Sequence, residues 1–142
     1  MSRVVQAARG WVGTPYRHQA SARGAGCDCL GMVRGVWREV HGAEPAPVPF
    51  YTPDWSEPQG EERLWEAAAR LLAPGRGAPG DLLLFRMRAG GVAKHLGILS
   101  APDRFIHAYS GQGVVESPLS APWAARVVAA FDLDGGPAAR GS

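Results

Sequence analysis

Apolar residues recur at helical spacing in three stretches of the chain. Val4, Val5, Ala8 and Trp11 predict a short amphipathic helix over Arg3–Trp11, stopped by Gly13-Thr14-Pro15. The following stretch, to Gly26, is a Gly/Ala/Ser-rich loop. From Cys29, the residues Leu30, Val33, Val36, Trp37 and Val40 predict a helix that ends near Gly42. Leu64, Trp65, Ala68 and Leu71 mark another over Glu61–Leu72. Between these, Ala43–Pro58 carries five prolines and three aromatic residues and reads as an ordered loop packed by its rings. After Pro74 the pattern changes to short Val/Ile/Leu/Phe runs separated by turn residues. Strands are expected at Asp81–Arg88, His95–Ser100, Arg104–Tyr109, Val114–Glu116 and Arg126–Leu133. Helices followed by an antiparallel meander make an α+β domain over residues 1–133. The Gly/Ala/Pro-rich stretch 134–142 is expected to be a flexible tail.

Composition narrows the function. The 142 residues fit one domain, and 46% hydrophobic with 20% charged residues is ordinary for a globular protein. The formal net charge is only +2 and the arginines are not clustered, so no nucleic-acid partner is expected. No apolar run approaches the roughly 20 residues of a membrane span, so no membrane insertion is expected. The N-terminus lacks an apolar signal region, which predicts synthesis in the cytoplasm without a leader of its own. Trp55, Trp65 and Trp123 read as core packing rather than as a docking surface.

Cys27 and Cys29 are the two cysteines. Neighbours this close rarely form a relaxed disulfide, so reduced thiols used for chemistry or packing are expected. Cysteine attacks as the thiolate, and a helix N-terminus lowers a thiol pKa through its unsatisfied N–H groups. Cys29 stands at the predicted helix start, where those donors can later hold an oxyanion. Gly31 would let a backbone or a substrate approach the first turn. The alternative for Cys29 is a buried small hydrophobe. For Cys27, which precedes the helix, that alternative is preferred. A metal site at Cys27, Cys29 and His18 lacks a second ligand pair, so no metal is expected.

A cysteine nucleophile needs an imidazole base and a third group to orient it. His95 and His107 lie in consecutive strands joined by a short turn at Ala101-Pro102. A turn centred on Ala101 would set them directly opposite, with Cβ atoms about 4.5–5.5 Å apart. A turn centred one residue later would break that alignment. His18 lies in a loop and His41 at a helix end, where surface or capping roles are expected.

Five stretches in order resemble the NlpC-type cell-wall cysteine peptidases, papain-like enzymes of bacteria and their phages. They are Gly13-Thr14-Pro15-Tyr16, Cys27–Val33, Pro79–Phe85, Lys94–Ile98 and Phe105–Ala108. Tyr16–Gln19 and Gly26–Gly31 further resemble the branch encoded in phage tail modules and gene transfer agents. The resemblance implies a papain-like fold with the nucleophile at a helix N-terminus packed on an antiparallel sheet. By motif position Cys29 corresponds to the nucleophile, His95 to the base and His107 to the third residue. Tyr16 corresponds to a tyrosine lining the site, and Asp28 to an aspartate that contacts the free amine of a stem peptide. For these two, turn packing and a helix N-cap are the plain alternatives. Leu30 stands where many members carry serine, which leaves the scissile bond open.

The implied activity is hydrolysis of peptidoglycan stem peptides, without a cofactor. The implied partners are phage-like tail or baseplate proteins, and the implied place of action is the wall of a target cell. A papain-like acyltransferase or amidase is disfavoured by the Cys, His, His order. A catalytically decayed structural tail protein is disfavoured by the intact Cys29, His95 and His107.

Overall fold

The computed structural model describes residues 2–46 and 59–136. Most of the proline-rich stretch, with Trp55, lies outside the described residues, as do residues 137–142. The first helix, α1 (Arg3–Arg9), is capped at its N-terminus by Ser2 and Asp134. The Ser2 hydroxyl accepts the Val5 N–H at 3.0 Å and donates to Asp134 Oδ2 at 2.6 Å, while Asp134 Oδ1 accepts the Val4 N–H at 3.1 Å. Asp134 is therefore held against α1.

Two two-residue strands follow in the stretch read as loop: β1 (Ser21–Ala22) pairs antiparallel with β2 (Gly26–Cys27). The long helix α2 (Cys29–His41) begins where its periodicity begins, and Gly42, at φ 88°, closes it. Its buried stripe includes Met32, Val33, Val36, Trp37 and Val40. Helix α3 (Arg63–Leu71) buries Leu64 and Ala68, with Trp65 packed partly buried on the same core.

The sheet contains β3 (Asp81–Arg86), β4 (Ala93–Ala101), β5 (Arg104–Tyr109), β6 (Gly113–Pro118) and β7 (Val127–Asp132), in the order β6-β5-β4-β3-β7. Only the first four form a meander. The last strand does not continue it but crosses back to pair antiparallel with β3. A short helix, α4 (Ala121–Ala124), begins that return. Each central strand is buried on both faces. Leu82, Leu84, Leu96, Ile98 and Ile106 meet the helices, while Leu83, Phe85, Leu99 and Phe105 form a second core on the far face, under Trp123.

Helices α1 and α2 meet through Trp11, which is 2% exposed and donates Nε1–H to Glu39 at 3.2 Å. Its ring lies on the backbone of Gly35, where any Cβ would overlap it. Held by packing and by a hydrogen bond, the indole has little room to retreat. Gly35→Ala is therefore expected to destabilise the fold by about 1–3 kcal/mol despite the better helix propensity of alanine, as read by urea denaturation.

Candidate active site

The first turn of α2 is built around one carboxylate. Asp28, 2% exposed, caps the helix through Oδ1, which accepts the Gly31 N–H at 2.7 Å. Its Oδ2 accepts the Gln19 N–H at 2.7 Å, and His18 Nδ1 stands 3.6 Å from the same oxygen. To make its bond Gln19 adopts φ 63°, the one positive φ at a non-glycine among the described residues. Such a backbone persists where its surroundings fix it, and here the buried cap does so. The Ala20 carbonyl packs so closely on the same turn that a Cβ on Gly31 would overlap it. Of the two partners expected for Gly31, the structure supplies the backbone.

Cys27 is fully buried. Its N–H donates to the Pro15 carbonyl at 3.0 Å and its carbonyl accepts the Arg17 N–H at 2.9 Å. It fastens the loop and is not in the cleft. Cys29 opens α2, and its sulfur lies 4.0 Å from the Lys94 carbonyl oxygen. The N–H groups of Leu96, Leu30 and Cys29 itself act on the sulfur and favour the thiolate. Burial outweighs them and, with the Asp28 charge, pushes the thiol up to about 12. The expectation that the helix N-terminus lowers this pKa is thus overturned for the resting protein, because loss of hydration is the larger effect.

Strand β4 carries an irregularity just before His95. Phe85 pairs with His95 but Arg86 pairs with Ala93, so Lys94 is an extra residue in the strand. This bulge switches the alternation of side chains only for the residues before it. Ala93 is thereby turned into the helix-side core, whereas His95 keeps the alternation of Gly97 and Leu99 and its ring lies on the far face, 5.6 Å from Phe85. Pairing of β4 with β5 runs from the turn only to Ile98–Ile106, and α2 packs against both strands. The sulfur meets the backbone on either side of His95, and Cys29, His95, Tyr16, His18, Asp28 and Lys94 line one cleft.

His95 Nε2 lies 2.8 Å from His107 Nδ1, and His107 Nε2 lies 3.0 Å from Ser117 Oγ of β6. The pairs Ile98–Ile106 and Leu99–Phe105 centre the β4–β5 turn on Pro102 rather than Ala101. Direct opposition of the two histidines is therefore absent, and His107 stands across from Gly97. Moving a turn centre by one residue moves each partner by two, which preserves the face. The imidazoles meet on the diagonal instead.

Burial, and then the nearby His107, hold His95 at about 3; burial alone holds His107 at about 4. Both rings are neutral near pH 7. With Nε2 tied to His107, His95 has Nδ1 left to take a proton. Tyr16 is pushed up to about 12, first by burial and then by Cys29, Asp28 and Cys27, so it stays a hydroxyl donor in the cleft.

The structure thus brings Cys29, His95, Tyr16 and Asp28 to one cleft, with His107 hydrogen-bonded to His95. His18, expected at the surface or as a cap, lines the cleft as well. His41 sits at the end of α2 with Nε2 2.6 Å from the Leu133 carbonyl oxygen. Two neighbours of the histidines were not foreseen. Ser117 shares a face with His107 because His107 pairs with Val115, two residues away, a relation visible only once register is known. Trp123 packs on the second core as expected, but it does so across the imidazoles, 5.1 Å from the His107 ring and 5.8 Å from that of His95. The Arg126 guanidinium stands 5.3 Å over its ring. Among the described residues, no three His, Cys, Asp or Glu side chains are grouped to hold a metal ion, and no helix is long and apolar enough to cross a membrane.

A family model described as the NlpC/P60 family matches residues 13–132. The chain belongs to the NlpC/P60 family. It is 30% identical over 122 residues to murein DD-endopeptidase MepS/murein LD-carboxypeptidase of Escherichia coli, covering 86% of this chain and 56% of that protein. It is 32% identical over 117 residues to gamma-DL-glutamyl hydrolase of Bacillus subtilis, covering 82% of this chain and 25% of that one. The chain thus spans about half or less of the length of these two curated relatives. Among solved structures, the NlpC/P60 domain of the peptidoglycan hydrolase SagA superposes with a TM-score of 0.60 at 25% identity, covering 92% of this chain and 96% of that domain. An NlpC/P60 family protein from Bacillus cereus shares the fold with a TM-score of 0.63 at 18% identity, covering 93% of this chain and 39% of that one.

Two outcomes follow for this NlpC/P60 domain. Unfolded, its histidines titrate near 6.5; folded, His95 and His107 titrate near 3 and 4. The unfolded state therefore binds more protons between these values. The stability tied to this pair is complete above pH 6.5 and is lost as pH falls toward 4. Melting temperature followed against pH should show this decline, and His107→Asn should flatten it. With its thiol protonated at neutral pH, Cys29 should alkylate with iodoacetamide at a rate that climbs above pH 8. A plateau already reached near pH 6 would indicate a resting thiolate instead.

Proposed function

We propose that this domain is a cysteine endopeptidase that hydrolyses the stem peptides of bacterial peptidoglycan. The observation that carries the reading is a helix-start thiol sharing a cleft with a neutral imidazole, itself hydrogen-bonded to a second imidazole. The names of the relatives, a murein endopeptidase and a peptidoglycan hydrolase, support the substrate class.

In this reading Cys29 is the nucleophile, His95 the base and His107 its orienter. As Cys29 Sγ bonds to the peptide carbonyl carbon, the thiol proton passes to His95 Nδ1. The resulting oxyanion is held by the Cys29 N–H. The imidazolium then returns its proton to the amine as the C–N bond breaks, leaving a thioester. Water, deprotonated by His95, hydrolyses the thioester and restores the thiol. Tyr16 and Asp28 line the cleft as substrate contacts. Since the carboxylate of Asp28 already caps α2, any contact with a substrate amine adds to that cap. Because Tyr16–Gln19 and Gly26–Gly31 resemble the phage tail and gene transfer agent branch, we place the domain in a phage-like tail, with tail or baseplate proteins as partners and the target-cell wall as the site of action.

Incubation with purified peptidoglycan, followed by mass analysis of the released fragments, tests the reading. Wild-type protein should release stem-peptide fragments. Cys29→Ala should fold with unchanged circular dichroism and release none, while Cys27→Ala should remain active. Hydrolysis by folded Cys29→Ala would remove Cys29 from the mechanism, and an inert wild type would leave a structural protein.

A further inference from the structure

The proposed reaction places a constraint on His107 that reaches one residue further. When His95 carries the thiol proton it is an imidazolium, with a proton on both ring nitrogens. Its Nε2–H then points at His107 Nδ1, 2.8 Å away, which must be an unprotonated acceptor. Neutral His107 must accordingly carry its own proton on Nε2. That N–H is inside the protein, because His107 is 1% exposed. A buried N–H without an acceptor is costly, more so than a ring nitrogen lone pair left unmatched. The oxygen given to it is Ser117 Oγ, at 3.0 Å.

We propose that Ser117 is a positioning residue of the site: by accepting the His107 Nε2–H it holds His107 in the tautomer that can receive a hydrogen bond from protonated His95. The opposite tautomer, with Ser117 donating to Nε2 and His107 donating from Nδ1, puts the His95 proton on Nδ1, where it cannot take a proton from Cys29. Without the hydroxyl oxygen the productive tautomer has an orphaned donor, the unproductive one only an orphaned acceptor. Removing the oxygen therefore shifts the balance toward the form that does not react. Neighbouring polar groups on β6 do not substitute for it, since Glu116 accepts from Ser100 at 2.6 Å.

The inference rests on the assignment of Cys29 and His95 as nucleophile and base, and two measurements separate its failure from failure of that assignment. In steady-state kinetics on a soluble stem peptide, Ser117→Ala should lower kcat about tenfold with KM unchanged, and Ser117→Thr should restore most of the loss. In nitrogen-15 NMR of histidine-labelled protein, which needs no turnover, His107 should be protonated on Nε2 in the wild type and in Ser117→Thr, and should move toward Nδ1 protonation in Ser117→Ala. Wild-type kcat in Ser117→Ala, or an unchanged His107 tautomer in that variant, would overturn the proposal. Loss of kcat in Ser117→Thr equal to that in Ser117→Ala would do the same, because it would reduce Ser117 to packing.

Discussion

The carboxylate of Asp28 is where fold and site depend on one another. It is buried, and its two oxygens accept backbone N–H groups from opposite sides, Gly31 inside the helix and Gln19 in the preceding loop. The bonds fix where α2 starts and therefore where Cys29 stands. They also hold the loop carrying Tyr16 and His18 over the same cleft. The left-handed backbone at Gln19 and the bare Gly31, against which the Ala20 carbonyl packs, are adjustments that let this one group do both. Its negative charge opposes ionisation of the neighbouring thiol, so the group that positions Cys29 also helps keep it protonated.

Electrostatics at rest favour a neutral pair. The thiol is held up and the imidazole down, both chiefly by removal of water. In the reaction we propose, the proton moves when the nucleophile attacks, and the charges that arise are met by groups already in place. In that proposal the helix-start N–H groups serve the developing anion, and His107, hydrogen-bonded to His95, serves the developing cation. Trp123 lies across the two rings, and the contact between them is buried. In a dry setting each of these hydrogen bonds counts for more than it would at the surface.

Much of this was legible in the sequence, and the boundary between what was and was not is physical. The stripe from Val33 to Val40 and the cap at Asp28 fixed α2 because helix periodicity and capping are local properties. Strand β5 matched its expected limits for the same reason. What depended on pairing between distant segments was not legible. The return of β7 to β3 follows no local signal, nor does the two-residue ribbon β1–β2. The turn at Ala101-Pro102 was read with its centre one residue early, yet the two histidines still met because the face survives that shift. The thiol pKa was misjudged because the helix dipole is visible in a sequence and the depth of burial is not. Ser117 is a common residue in an ordinary strand until register aligns it with His107.

The bulge at Lys94 separates the position of His95 from the chain that leads up to it. Beyond it His95 follows the alternation of Leu96 to Ile98 and stands opposite Phe85, while the additional residue is what turns Ala93 into the helix-side core. Loss of a single codon there would therefore leave the imidazole on its surface and rotate Ala93 out of that core. A change in chain length at this point would be absorbed by the packing at the start of β4 rather than by the direction of the imidazole.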